Sequence, residues 1–386
     1  MNALDGIRIL DLTRLLPGPF ATLVLADLGA QVDKLEDPSS GDYLRHTPPV
    51  VGDQAVAFHA LNRGKRSLAL DLKRPEGAQA FRKLVKNYDV VFEQFRPGVL
   101  GRLGLGHDTM LLENPRLIVC ALTGYGQSGP LRDRAGHDLN YMARAGLMGL
   151  QGPAEDKPAL PAFQLADVSG GMWCVIAILA ALRERELTGR GRTLDIAMFD
   201  SVIPFATITL SKILGGETVN RGQELLTGGI APYQTYRTKD DAFITLAALE
   251  PKFLMRFCGA VGLEIDMTAL MPGPHQHELQ RRFADVFSSR TRAEWQQFNE
   301  QHDCCLEPVL EPNELRADPH VKARNLFPNL QLPEGEVGVF RTPVTPAEHP
   351  LRPGPRQGEH SREILREAGF DAAELDTLAR SGALPG

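Results

Sequence analysis

Several ionisable side chains stand where a folded chain can make them reactive. Gly136-His137-Asp138 opens an apolar segment of helical spacing, so His137 and Asp138 lie at a helix head. Helix N-termini present unpaired backbone N–H groups and the positive end of the dipole. A histidine there is biased toward its neutral form and can serve as a base near neutral pH. The free amide of Asp138 can donate to an oxyanion. The plainer reading is that His137 merely precedes the helix and Asp138 caps it. Asp167 heads a second helix after Gln164-Leu165-Ala166, and aspartate is a favoured N-cap, which explains it without chemistry. Gly170 and Gly171 temper that explanation, since helical glycine usually permits close approach of a backbone or a ligand. Glu250 ends an expected strand and precedes Pro251 at helix position N1, an ordinary junction. Histidine and carboxylate both titrate close enough to working pH to alternate as acid and base. Nothing local shows that these groups converge.

Basic residues cluster in Asn62-Arg63-Gly64-Lys65-Arg66-Ser67 and in Phe95-Arg96-Pro97-Gly98. Both adjoin expected strand ends, where α/β folds bind ligands, and arginine or lysine beside glycine can hold phosphate. The plain alternative is solvated surface. Gly124-Tyr-Gly126-Gln-Ser-Gly129 matches a dinucleotide fingerprint, but a charged loop (Pro130-Leu-Arg-Asp-Arg134) follows where a helix is required. A turn-rich active-site loop fits it better. The 5 cysteines show no zinc spacing, and Cys304-Cys305, His275 and His277 lack further ligands, so no metal site is expected.

The elements that must carry these residues alternate. Strands are expected at 7–12, 31–35, 67–71, 90–93 and 117–121, and helices at 20–28, 75–86 and 108–113. Such alternation with short loops gives parallel βαβ units, hence a large Rossmann-like open parallel-sheet domain. Long helices are expected at 137–150 and 167–185, then a polar, glycine-containing linker at 217–227. A hairpin at 233–236 and 243–249 and helices at 251–261, 277–288 and 292–301 point to a smaller α+β domain. The expected division is 1–216 and 228–319, with 320–386 packing back on the larger part.

With 386 residues, 43% hydrophobic and 23% charged, the chain has a globular composition. A net charge of −6 argues against nucleic-acid binding. The longest uninterrupted apolar run, 173–182, is too short for a membrane span, and the N-terminus shows no export pattern, so a cytoplasmic enzyme is expected.

In order along the chain, these segments resemble the class III coenzyme A transferase family (CaiB/BaiF type), which includes the α-methylacyl-CoA racemases. The resemblance rests on Asp11-Leu-Thr-Arg-Leu-Leu-Pro-Gly-Pro-Phe20, Asp27-Leu-Gly-Ala30, Asn62–Ser67, Glu93-Gln-Phe-Arg-Pro-Gly98, Thr123–Pro130, Thr188-Gly-Arg-Gly191 and Asp318-Pro-His320. Racemase members resemble this chain in Gly136-His-Asp138, in Asp167 before a Gly-Gly helix head, and in Leu249-Glu-Pro-Lys-Phe253.

That likeness implies His137 and Asp167 as paired bases, with Glu250 assisting His137. It makes the expected reaction the racemisation of 2-methylacyl-CoA thioesters, with the Asp138 amide receiving the enolate. The alternative it leaves open is a CoA-transferase forming an anhydride at Asp167; an acyl-CoA binding scaffold is a third reading. The resemblance further implies Arg63, Lys65, Arg66, Arg96 and Arg45 near the coenzyme A phosphates. It implies an interlocked homodimer, and coenzyme A entering only as part of the substrate, with no membrane or nucleic-acid partner. Met142, Leu147, Met148 and Trp173 fit an acyl pocket and fit core packing equally well.

Overall fold

A six-stranded parallel sheet organises the larger part of the chain. In the computed structural model, which describes residues 2–385 except Ala347 and His349, its strands are β1 (Arg8–Asp11), β2 (Gln31–Glu36), β3 (Arg66–Ala69), β4 (Val90–Glu93), β5 (Ile118–Thr123) and β6 (Thr193–Ala197). They lie in the order β3-β2-β1-β4-β5-β6. Leu10 is flanked by Asp33 on one side and Val91 on the other, both in parallel register. The winding reverses between β1 and β4, so the crevice beyond Asp11 and Glu93 is where such a sheet takes a ligand.

Helices fill the crossovers, α1 (Pro17–Asp27), α2 (Val56–Asn62), α3 (Pro75–Leu84), α4 (His107–Glu113), α5 (Asp138–Arg144) and α6 (Leu165–Thr188), and α7 (Met198–Val202) follows the last strand. On one face, Leu10, Leu35, Leu68 and Val91 meet Phe81 and Leu84 of α3. Ile364, Leu365 and Leu375 from the C-terminal helices Ser361–Glu367 and Ala372–Arg380 complete that core. Burying each such side chain stabilises by about 1.5–3 kcal/mol.

Helix α6 corrects one expectation. It has 24 residues, and an 18-residue stretch of it reaches a mean hydropathy of 1.9, long and apolar enough to cross a bilayer by length and composition; half of that stretch is buried in the protein. Its glycines are packing residues. A Cβ on Gly171 would lie 2.5 Å from the Pro17 carbonyl oxygen, and one on Gly170 2.9 Å from Met198 Cγ. Gly171 therefore lets α1 approach α6, and Gly170 makes room for Met198 of α7.

The chain forms two compact units, the first from Met1–Ala145, Phe163–Pro204 and Pro319–Gly386, the second from Gly146–Ala162 and Phe205–Asp318. Segments 146–162 and 205–216, assigned above to the larger domain, belong to the second unit. The helix expected over 137–150 stops at Arg144; Gly146, at φ +83°, turns the chain into a short 3-10 segment, Leu147–Leu150. The 217–227 segment is folded, with Glu224 bound to Lys212 at 2.7 Å and to the Asn220 N–H.

The second unit holds a three-stranded antiparallel sheet, β7 (Tyr233–Arg237), β8 (Phe243–Ala247) and β9 (Leu306–Pro308). Its helices are α8 (Thr207–Leu214), α9 (Pro251–Val261), α10 (Gln276–Phe287) and α11 (Arg292–His302). Its core is aromatic: Phe287 stacks with Tyr236 at 4.7 Å and with Phe257 at 5.2 Å, and Trp295 lies 4.9 Å away. The buried indole is satisfied, Trp295 Nε1 donating to the Phe287 carbonyl at 2.9 Å. Helix α8 is different: its sequence is apolar, yet none of its residues is buried.

Candidate active site

The first turn of α5 grips three pieces of chain. Asn140 accepts the His137 N–H at 3.0 Å. Tyr141 donates its hydroxyl to the Gly136 carbonyl at 2.6 Å. Asp138 Oδ1 accepts two backbone amides from the head of α6, Ala166 at 2.6 Å and Asp167 at 3.1 Å. Two candidate bases, His137 and Asp167, are thereby tied to one turn of helix.

This arrangement overturns the capping explanation for both aspartates. Helix α6 starts at Leu165, with Gln164 in the N-cap position and no side-chain cap, so Asp167 lies inside the first turn. The orphan amides there find their acceptor on another helix. Asp138 does cap a helix, but α6 rather than its own.

Burial, with the neighbouring Asp138 carboxylate, pushes the Asp167 carboxyl up to about 7. Burial raises Asp138 as well, opposed by the two amides it accepts. The Tyr141 phenol is pushed up to about 12, first by burial and then by the charge of Asp167, with Arg96 acting in the opposite direction. Asp138, Asp167, Tyr141 and Arg96 thus share one electrostatic neighbourhood in the first unit. His137 is exposed.

The Gly124–Gly129 loop serves Tyr141 and not a dinucleotide. A Cβ on Gly124 would sit 2.6 Å from the Tyr141 hydroxyl, and one on Gly136 2.8 Å from its ring. Tyr125 packs edge-on against Tyr141 at 5.1 Å. Asp195 of β6 takes the Gln127 N–H with both oxygens at 3.1 Å, pinning the loop. Tyr141 was not singled out from sequence, although its place four residues after His137 puts it on the same helical face.

Glu250 lies in the second unit, exposed at the N-cap of α9 without a side-chain cap bond. Its charge helps raise the Cys305 thiol, after burial. Met142 and Leu147 are buried core residues, and Trp173 donates to the Ser201 carbonyl at 3.1 Å. Among the described residues, no group of three His, Cys, Asp or Glu side chains is placed to hold a metal ion.

Most of the basic residues expected near phosphates are committed elsewhere. Arg63, 3% exposed, grips Asp27 with both terminal nitrogens. Lys65 donates to Thr22, Asn62 and the Pro19 carbonyl at 2.7–3.0 Å and pairs with Asp11 at 3.4 Å. Arg45 is bound to Glu36 at 2.6 and 2.9 Å and stacks over Phe58. Arg66 is shared between Asp33 and Glu367, each through two contacts of 2.7–3.0 Å. A buried charge must be paired, so these cations hold β1, β2 and the C-terminal segment together and are not offered to a ligand.

Arg96 is different. It is exposed, and among the described residues neither it nor Arg102 has an ion-pair partner. A Cβ on Gly98 would lie 3.5 Å from Arg102 Nη1 and 3.6 Å from Arg132 Nη2, so these guanidinium groups converge on the Arg96-Pro97-Gly98 turn. That turn follows β4, beside the reversal in the sheet, and borders a cavity of about 520 Å³ with Glu93, His107 and Asp195. Sequence reasoning missed Arg102 and Arg132, which lie outside the two basic clusters.

The model of CoA-transferase family III matches residues 4–361. This chain belongs to that family. It is 38% identical over 382 residues to human alpha-methylacyl-CoA racemase, covering 97% of this chain and 96% of the relative. It is 32% identical over 396 residues to mouse succinyl-CoA:glutarate CoA-transferase, covering 100% and 91%. A crystal structure of a CAIB/BAIF family protein from Brucella suis superposes with a TM-score of 0.82 at 30% identity, covering 95% of this chain and 100% of that one. This family III enzyme therefore resembles proteins of two different activities.

Proposed function

We propose that the protein is a 2-methylacyl-CoA racemase or epimerase that inverts the carbon α to a thioester by two-base proton transfer. The observation that carries this reading is the Asp167 carboxyl, pushed up to about 7 by burial and Asp138, tied through Asp138 to the turn that bears His137. A group that titrates there exists in both protonation states near neutrality, which an acid–base partner requires. Attack on a thioester to form an anhydride needs the carboxylate, so a raised value suits that role less.

In this mechanism one base removes the α-proton, the C–H pair passes into the thioester as an enolate, and the other base returns a proton to the opposite face. The exposed His137 is one base and Asp167 the other. In this reading the Asp138 N–H, at the first position of α5, donates to the enolate oxygen; losing such a donor costs about 3–4 kcal/mol of barrier. No oxidation state changes, so coenzyme A enters only as part of the acyl-CoA substrate. Arg96, with Arg102 and Arg132, supplies positive charge for its phosphates.

A homodimer belongs to the same reading. Its support is the unburied apolar α8, together with Met172 and Ile176 of α6, 48% and 53% exposed.

The test is deuterium entry at the α-carbon of a 2-methylacyl-CoA in heavy water with no acyl acceptor. Exchange with loss of optical activity is expected. Transfer of CoA to free succinate or glutarate without exchange would replace this reading with the transferase one, which the likeness to the mouse enzyme favours.

A further inference from the structure

Asp138 contributes more than its backbone amide. Both N–H groups it receives, from Ala166 and Asp167, converge on one oxygen, Oδ1, so its carboxylate bridges the first turn of α5 to the first turn of α6. The carboxylate is buried, with the whole residue 7% exposed. Asp138 also follows His137 directly. One side chain therefore sets the position of Asp167 relative to the turn that carries His137.

The charge of that side chain matters as much as its geometry. Groups interacting with Asp167 from the packed elements are Asp138 and Tyr141 on α5; Arg96 acts on Tyr141. Asp200 on α7 is itself raised by burial and by Asp195, and Cys120 of β5 is a buried thiol far above its usual range. Among these, Asp138 is the charge that holds Asp167 above the ordinary carboxylate range, after burial. Two carboxylates forced together in a dry site do not both ionise readily.

We infer that Asp138 is a positioning residue acting through its carboxylate: it anchors the head of α6 and keeps Asp167 able to hold and release a proton. The inference rests on the proton-transfer reading for its catalytic consequence, but the bridge itself is independent of it. Asn at this position preserves an oxygen for both amides and removes the charge, whereas Ala removes both.

The experiment compares Asp138→Asn and Asp138→Ala in the full-length enzyme. Infrared difference spectra across pH 4–9 follow the protonated carboxyl band of Asp167, assigned by its loss in Asp167→Asn. In Asp138→Asn this band should titrate at least about one pH unit lower. The matching limb of the α-proton exchange profile should shift with it, with KM for acyl-CoA within about twofold and Tm near wild type. Asp138→Ala should lower Tm as well. A band and a pH limb that stay in place in Asp138→Asn would overturn the inference even if kcat fell. A wild-type enzyme that exchanges no α-proton would sink the proposed reaction, while the infrared titration still decides the role of Asp138.

Discussion

The hydroxyl of Tyr141 lies 2.6 Å from the carbonyl oxygen of Gly136 and donates to it. That bond fixes the peptide immediately before His137 from a residue one helical turn later. Gly124 and Gly136 leave the room the phenol needs, since a Cβ on either would collide with it. Removing the hydroxyl leaves the ring packing intact but frees the carbonyl. Tyr141→Phe should therefore cost about 1 kcal/mol of stability and lower kcat several-fold, with KM little changed. Thermal unfolding and α-proton exchange on the purified variant check this; a KM effect alone would place Tyr141 in substrate binding instead.

The raised Asp167 carboxyl makes stability depend on pH in a fixed direction. Unfolded, an aspartate titrates near 3.9; folded, this one titrates at about 7. Between those values the folded protein holds the proton more often, so stability falls as pH rises through that window and levels off above it. Asparagine mimics the protonated form. Asp167→Asn should thus be more stable than wild type by a margin that is absent below about pH 4, grows across pH 4–7 and is full at pH 8. Denaturant midpoints at pH 5 and pH 8 measure it, and equal margins at both would contradict the assignment. The same variant should lose inversion, with α-proton exchange surviving only for the enantiomer whose proton His137 faces.

The contact between α1 and α6 gives a packing test. Gly171 lies one turn beyond Asp167, and a methyl there would come within 2.5 Å of the Pro17 carbonyl oxygen. Backbone cannot yield as a flexible side chain does. Gly171→Ala should cost about 1–3 kcal/mol by overpacking and displace the head of α6 that carries Asp167. A matched loss of Tm and kcat is expected, whereas alanine at the exposed Ile176 of the same helix should spare the fold of the unit.

These relationships explain what the sequence could and could not reveal. Strands β1 and β4 were readable because each holds a short apolar run, Ile9-Leu10 and Val90-Val91-Phe92; β2 was readable because it resumes after the Gly29 stop of α1, and Pro251 announced helix α9. Strand β6 was not, because Thr193-Leu-Asp-Ile-Ala197 sits at the sheet edge, is mostly half-exposed and carries Asp195 for a loop contact. His137 and Asp167 were visible as helix-head residues. Their link was not, because Asp138 caps a helix that begins 27 residues later, and no spacing rule connects the two. The basic clusters misled for the same reason. Arg63 reads as a surface charge until Asp27, 36 positions earlier, is brought against it.

That last pair separates architecture from ligand binding in one comparison. Arg63 is buried in a bidentate pair with Asp27, itself bonded to Thr342 at 3.0 Å, so the pair fastens the C-terminal segment to α1. Removing one partner leaves the other charge buried and uncompensated, at a cost of about 3–5 kcal/mol. Arg63→Met should therefore lower Tm sharply, and any surviving folded enzyme should keep its KM for acyl-CoA. Arg96 is exposed on the turn after β4, with Arg102 and Arg132 close by. Arg96→Ala should leave Tm unchanged and raise KM for acyl-CoA about tenfold, the loss of one charge-assisted hydrogen bond to phosphate. The effect should vanish for a pantetheine thioester that lacks the nucleotide phosphates. Thermal melts and KM values for both variants with both substrates decide the matter; a KM change in Arg63→Met that also depends on the nucleotide would return Arg63 to the binding site.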